Sequence, residues 1–169
     1  TYGGRGALKV NLGDNWTITP TFMGQSTRQD GTAFVDPAIP GKLSIQRFYP
    51  DSISDQWWQA ALTVEGHFSN FDITYAGGYL NRHDHTISDY SDYSLLYDKN
   101  TTYVAYFESY VIPHTPNGQP INPSQWINGS DEYRKMSHEL RIATNKDART
   151  RFIGGLFFER QEHYILQDY

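Results

Sequence analysis

The chain contains no cysteine, which excludes disulfide bonds, zinc–thiolate sites and thiol nucleophiles. It also lacks any apolar run approaching the ~20 residues of a membrane-spanning helix, so a helical membrane protein is excluded. Its 14 Lys and Arg are outnumbered by 19 Asp and Glu and form no cluster, which argues against a nucleic-acid partner. These absences still allow a membrane β-barrel, because its strands are only half apolar and escape a search for long hydrophobic runs.

Aromatic residues are abundant although hydrophobic residues as a whole are scarce. Hydrophobic residues make up 38% of the chain and aromatic residues 15%, with 13 Tyr, 9 Phe and 4 Trp. Aromatic rings fit a half-buried pleated surface well. The composition therefore favours strands and interfaces over packed helices.

Six stretches alternate with a period of two, which predicts strands with one apolar and one wetter face. In the clearest of them, apolar or small residues occupy the even positions from Trp58 to Phe68, while Gln59, Thr63 and Glu65 stand between them. Short polar turns join the stretches in pairs, as in β-hairpins. The three predicted hairpins are Arg5–Leu12 with Trp16–Ser26, Asp55–Phe68 with Phe71–Arg82, and the two arms of Glu132–His163 around a turn at Asn145–Ala148.

The connections between the hairpins are long, in contrast to the turns within them. Loops are predicted at about 29–54 and 84–131. In an up-and-down sheet all short turns then lie at one end and all long loops at the other, which is typical of an outer-membrane barrel. The sequence therefore predicts an all-β fold, an antiparallel up-and-down transmembrane β-barrel segment of about six strands that is incomplete on its own.

Aromatic residues occur at two heights along the predicted strands. Trp16, Phe68 and Phe71 stand beside the short turns, and a second set lies about ten residues away toward the long loops. That second set comprises Trp58, Tyr79 and Phe158. Two such sets match the aromatic girdles with which a barrel meets the lipid headgroups.

A soluble β-sandwich is the alternative, because its strands alternate in the same way. Such a domain would be a carbohydrate-binding module, with Trp57, Trp58 and tyrosines as a platform for sugars. It requires Trp58 and Leu62 to be buried in a protein core. A third hypothesis, a β-rich hydrolase fragment, would need a catalytic role for Glu65 or Asp72.

Two segments resemble the barrel strands of TonB-dependent receptors. The run Ser137–Ile142, a turn, and then Arg151–Phe158 is similar to a family pattern in which a strand like SHELR(I/L) is followed by a strand like RW-x-GLFY. The run Trp16–Phe22, with Gln25 and Asp30–Gly31 after it, resembles the neighbouring "tItPs-x-xYQ" strand, and Pro20 fits that pattern.

The resemblance implies a large barrel filled by a plug domain in the bacterial outer membrane. Barrels of such transporters have about 22 strands, so residues 1–169 are expected to be a partial barrel domain without the plug. The implied partners are outer-membrane lipid, the rest of the barrel, the plug domain, TonB acting through that plug, and a small-molecule ligand. The implied role is uptake of a scarce solute such as a siderophore or a sugar, with no enzymatic activity and no cofactor.

Ring stacking in the second predicted loop is the leading hypothesis for ligand binding, because aromatic side chains give wide contact area at low entropy cost. The candidates are Tyr90, Tyr93, Tyr97, Tyr103, Tyr106, Tyr110 and Trp126. The opposing hypothesis is that these rings pack within the loop. His83 and His85 share a strand face at the start of this loop and are candidates for ligand contact at the rim, whereas no third metal ligand is evident beside them.

Charged residues in the last hairpin predict a ladder across its wetter face. The candidates are Glu139, Arg141, Arg151 and Glu159. We expect this ladder to belong to the wall of the barrel interior, paired with itself or with a plug.

Overall fold

The computed structural model describes residues 1–41, 43–93 and 124–169. This part of the chain is all-β apart from three helical residues at 91–93. Its strands are β1 Tyr2–Ala7, β2 Val10–Leu12, β3 Trp16–Asp30, β4 Ser52–His67, β5 Phe71–Asp89, β6 Trp126–Thr144 and β7 Ile153–Asp168. No helix among the described residues is long and apolar enough to cross a membrane.

The strands form one open antiparallel sheet. The strands lie in the order β1-β3-β4-β5-β6-β7, each paired with the next, and β2 also pairs with β3. Within the described ranges β1 and β7 are the edges of the sheet and do not pair with each other. The predicted all-β, antiparallel, up-and-down arrangement that does not close on itself is therefore confirmed.

The first predicted strand, Arg5–Leu12, is interrupted and becomes β1 and β2. The break at Leu8 and Lys9 lies opposite Pro20, because Ala7 pairs with Thr21 and Val10 pairs with Ile18. Leu8 N still donates to Pro20 O at 3.1 Å, but proline has no N–H to return. The missing donor explains why the ladder stops for two residues and then resumes.

Four strands extend into the predicted loops. β3 ends at Asp30, β4 begins at Ser52, β5 continues to Asp89 and β6 begins at Trp126. Alternation is visible only where one face is apolar, whereas both faces of these extensions carry polar residues. The period-two signal therefore disappears before the strands end.

The short turns are tied to one another by a side chain. Asn145 Nδ2 donates to Phe68 O at 3.2 Å and to Ser69 O at 2.6 Å, so the turn after β6 holds the turn after β4. Thr144 N donates to Phe152 O at 3.0 Å and closes the last hairpin. These bonds hold the short-turn ends of β4 to β7 in register.

The contacts divide the chain into two compact units. The first comprises Thr1–Thr27, Asp55–Asp84 and Asp131–Ile165. The second comprises Arg28–Ser54, His85–Ser130 and Leu166–Tyr169. The first unit holds the alternating segments, and the second holds the described parts of the long connections, so each is treated separately below.

Candidate functional site

One face of the first unit is apolar and uncovered. None of the hydrophobic residues that the structure describes is buried, and large apolar side chains are instead exposed, Phe22 by 56% and Leu62 by 39%. Trp58 is 40% exposed. Burial of apolar area is the main force that stabilises a folded chain, so this face requires an apolar environment that the described residues do not supply.

A row of three stacked or tilted rings bounds this face toward the long connections. The Phe22 and Trp58 rings are stacked with centroids 6.1 Å apart, and the Trp58 and Tyr79 rings are 5.4 Å apart. The row crosses β3, β4 and β5, because even positions on β3 and β4 and odd positions on β5 share the face. We call these three residues the upper aromatic row.

A second row bounds the same face at the short turns. The Trp16 and Phe68 rings meet edge to face at 5.5 Å, and Phe68 stacks on Phe71 at 4.9 Å. We call these residues the lower aromatic row. Trp58 and Phe68 are ten residues apart, which corresponds to about 33 Å along an extended strand and to about 25 Å at a tilt of roughly 40°.

Phe158 does not join the upper aromatic row, contrary to the sequence prediction. Its ring stacks on His138 at 6.5 Å. His138 in turn stacks on Tyr75 at 6.1 Å, and the Tyr75 hydroxyl lies 2.8 Å from His138 Nδ1. This polar pair lies between the two rows along β5, and its hydrogen bond satisfies both groups within the apolar face.

The opposite face of the first unit is polar and carries several ion pairs. Arg82 makes two hydrogen bonds to Asp55, of 2.8 and 3.1 Å, between β5 and β4. Further pairs on this face are His67–Asp72 at 2.8 Å, Lys135–Glu159 at 2.9 Å and Tyr133–Gln161 at 2.6 Å. A sheet with one apolar and one charged face suits a wall between hydrocarbon and water.

The charged ladder predicted for the last hairpin does not form between the predicted residues in the described part of the chain. Glu159 pairs with Lys135, which the sequence analysis did not single out, and no ion pair joins Glu139, Arg141 or Arg151 in the described part of the chain. Lys135 Nζ lies 2.9 Å from Glu159 Oε2, so this ion pair joins β6 to β7. The register was not fixed by the sequence pattern, so the partner could not be predicted.

A buried polar network forms the centre of the second unit. Asp89, at the end of β5, accepts hydrogen bonds from the backbone N–H of Phe48 at 2.6 Å, of Tyr49 at 3.3 Å and of Ser91 at 2.9 Å. The carboxylate thereby joins the segment before β4 to the end of β5. Only 7% of Asp89 is exposed, so its carboxylate depends on these donors in place of water.

The pKa of Asp89 reflects two opposed effects. Burial of the carboxyl raises its pKa, but the hydrogen bonds from Ser91, Phe48 and Tyr49 together outweigh burial and leave the pKa below its ordinary value. Asp89 is the last residue of β5 and belongs to the second unit. Its carboxylate is therefore held charged by the backbone of another segment.

Asp51 and Arg47 complete this network. Asp51 Oδ1 accepts the Asp89 N–H at 2.9 Å, and its Oδ2 lies 3.0 Å from Arg47 Nε, close enough for an ion pair although the two atoms are not aligned as a hydrogen bond. Arg47 also lies 3.5 Å from Asp92. Ser91 Oγ bonds the backbone of Gln125 at 3.2 Å and so brings in the start of β6.

The sequence pattern does not reveal this network. Aspartates in polar connections are common, and nothing in the local pattern distinguishes Asp89 from Asp92. Asp89 contacts a residue 41 positions away in sequence, so only the fold brings the partners together. The only local signal is the point where the alternation stops, and that point lies before the end of β5.

The predicted rim histidines lie within β5 and not at the start of a loop. His83 Nε2 is 4.0 Å from Glu132 Oε1, and His85 Nε2 is 2.7 Å from Asn128 Oδ1. Among the described residues no group of three or more His, Cys, Asp or Glu has the arrangement of a metal site. Ligand contact by His83 and His85 remains a prediction.

The tyrosine candidates are only partly described. Tyr90 stacks on Tyr93 at 4.7 Å and meets Tyr169 edge to face at 5.8 Å, while Trp126 is the first residue of β6. The other four lie outside the described residues, namely Tyr97, Tyr103, Tyr106 and Tyr110. Tyr90 and Tyr93 thus pack on each other, and ligand binding by the set stays a prediction.

No protein-family model matches the chain, and none of the curated proteins matches it significantly.

Proposed function

We propose that the chain is part of a TonB-dependent receptor in the bacterial outer membrane, where it forms a segment of the barrel wall. The observation that carries this proposal is the uncovered apolar face between the upper and lower aromatic rows, backed by a face of ion pairs. A bilayer supplies the missing apolar environment on one side, and the water-filled or plugged interior of a barrel suits the other.

The sheet edges are consistent with the same role. Within the described residues β1 and β7 each present one unpaired side, and unpaired backbone groups inside hydrocarbon cost several kcal/mol each. The proposal therefore includes further strands of the same barrel beside β1 and β7. TonB dependence and solute uptake rest on the two motif-like segments, and the nature of the solute stays open.

The carbohydrate-binding sandwich agrees less well with the structure. It needs Trp58 and Leu62 in a protein core, whereas both are exposed on the same face. No second layer covers that face in the described part of the chain.

The direct test is to find where the native protein resides and how large it is. Outer membranes and soluble fractions of the source cells are separated, and the denatured intact mass of the protein with this sequence is measured. The proposal predicts a membrane-bound protein several times heavier than the 19.5 kDa of this chain. A soluble protein near that mass would overturn it.

TonB dependence needs its own measurement. The proposal predicts that deleting TonB abolishes growth on the scarce solute that this receptor supplies, while the amount of receptor in the outer membrane stays unchanged. Equal growth with and without TonB would mean that the protein is a barrel of another transport class.

A further inference from the structure

We propose that the Asp89 carboxylate is a latch that fixes the connection between β3 and β4, residues 31–51, to the end of β5. The carboxylate accepts three backbone N–H groups, two of them from Phe48 and Tyr49 near the end of that connection. This inference concerns the second unit only and does not depend on the proposed function.

The contacts of the latch lie where the two ends of the connection meet. Gly31 N donates to Asp51 O at 2.7 Å and brings the two ends of the connection together. Asp51 then accepts the Asp89 N–H at 2.9 Å and the Ser88 hydroxyl at 3.3 Å. Asp51 and Asp89 thus hold each other's segments in a reciprocal pair of side-chain-to-backbone bonds.

The remainder of the connection has mostly local bonds. Asp36 N donates to Ser44 O at 2.8 Å and Ile39 N to Asp36 O at 3.2 Å, both within the connection itself. Phe34 and Leu43 are 71% and 87% exposed, so they add little packing. The position of residues 32–46 consequently depends on what holds residues 47–51.

The charges around the latch favour its closed form. Arg47 lies 3.0 Å from Asp51 and 3.5 Å from Asp92, so one cation faces the carboxylates that gather at the strand end. The charge of Asp89 itself is stabilised by N–H donors rather than by Arg47. Removing its charge therefore acts on the backbone of 48 and 49 directly.

The substitution Asp89→Asn distinguishes the effect of the hydrogen bonds that Asp89 accepts from an effect of side-chain packing. Both oxygens of Asp89 accept from N–H groups, Oδ2 from Phe48 and Tyr49 and Oδ1 from Ser91. An amide of the same shape must point its NH₂ at one of these donors, so at least one bond is lost. Asp168→Asn is the matched control, because it removes the same charge from an exposed side chain of the second unit that takes no part in this network.

Amide hydrogen exchange on the full-length native protein, in detergent or in membranes, tests the latch. In the unmodified protein we expect the amides of Phe48 and Tyr49 to exchange at least roughly tenfold more slowly than those of residues 33–35. In Asp89→Asn we expect exchange at 48 and 49 to become roughly fivefold faster or more, because either the amide NH₂ faces these donors or a neutral amide oxygen accepts from them more weakly than the carboxylate does. In Asp168→Asn we expect no change.

Three outcomes would overturn the latch. The first is equally fast exchange at 48–49 and at 33–35 in the unmodified protein, a measurement that needs no variant to fold. The second is unchanged exchange in Asp89→Asn, and the third is equal acceleration in both variants, which would assign the effect to net charge. None of these outcomes bears on whether the first unit lies in a membrane.

Discussion

The Tyr75 hydroxyl lies 2.8 Å from His138 Nδ1, which joins β5 to β6 within the apolar face. Both residues belong to a face whose other members are largely apolar, and their rings are also stacked. A polar group in such surroundings is tolerated when it has a partner and is costly when it has none. The pair is therefore expected to behave as a unit.

Tyr75→Phe should destabilise the native protein by about 1–3 kcal/mol, because it leaves a histidine nitrogen without its partner. The double variant Tyr75→Phe with His138→Leu should recover most of this loss, since both polar groups are then gone. Unfolding by denaturant of the protein reconstituted in lipid measures the difference. A double variant as unstable as Tyr75→Phe alone would contradict this account.

Gly66 gives a second prediction, because the Trp16 ring lies directly over it. A Cβ added at Gly66 would come 2.7 Å from Trp16 Cζ3, whereas a Cβ at Gly6 would meet nothing within 4 Å. Gly66→Ala should therefore displace Trp16 from the lower aromatic row and cost about 1–3 kcal/mol. Gly6→Ala is the control and should change stability by less than about 0.5 kcal/mol.

The measurement is the unfolding free energy of the two glycine variants in the same lipid. Equal stability of both variants would mean that the Trp16 ring has room to move away from Gly66 without cost.

The pKa of Asp89 predicts how the second unit responds to acid. Because its pKa in the folded state lies below the ordinary value of 3.8, Asp89 contributes stability that is fully present above that value. The contribution is lost as the pH falls through the lowered pKa. Limited proteolysis across residues 31–51 should therefore stay constant from neutral pH to about 5 and increase only below about 4.

An acid-stable protease measures this response, with the cleavage rate of an unfolded reference peptide as the correction for protease activity. Asp89→Asn should be cleaved faster at neutral pH and should show a weaker dependence on pH. A release of the connection between pH 6 and 7 would contradict the assignment, because no carboxylate with a lowered pKa titrates there.

The sequence predicted the strands where the chemistry of the two faces differs. From Trp58 to Phe68 the alternation marks β4 because one face is apolar, and the lower aromatic row follows from the same pattern. Beyond Arg82 the strand continues to Asp89 with polar residues on both faces, and the alternation no longer predicts it. The register of β6 and β7 could not be predicted either, because the partner of Glu159 depends on a turn whose geometry the sequence does not specify.

The candidate sites were predicted less well than the strands. Tyr90 and Tyr93 were singled out for their rings, and the structure stacks them on each other. Asp51 and Asp89 were not singled out, because their importance arises from backbone groups about 40 positions away. Local chemistry identifies which residues can stack or titrate, but only the fold decides which of them meet a partner.

The most direct test of the central claim uses Trp57 and Trp58, which are adjacent on β4 and point to opposite faces. The full-length protein is reconstituted in bilayers with lipids brominated along their chains, in variants that keep either Trp57 or Trp58 and replace every other tryptophan of the protein by Phe. Bromine quenches indole fluorescence only at close contact. The account predicts strong quenching of Trp58, most by bromines near the headgroups, and little quenching of Trp57. Equal, weak quenching of both would show that the apolar face does not meet lipid and would contradict the account.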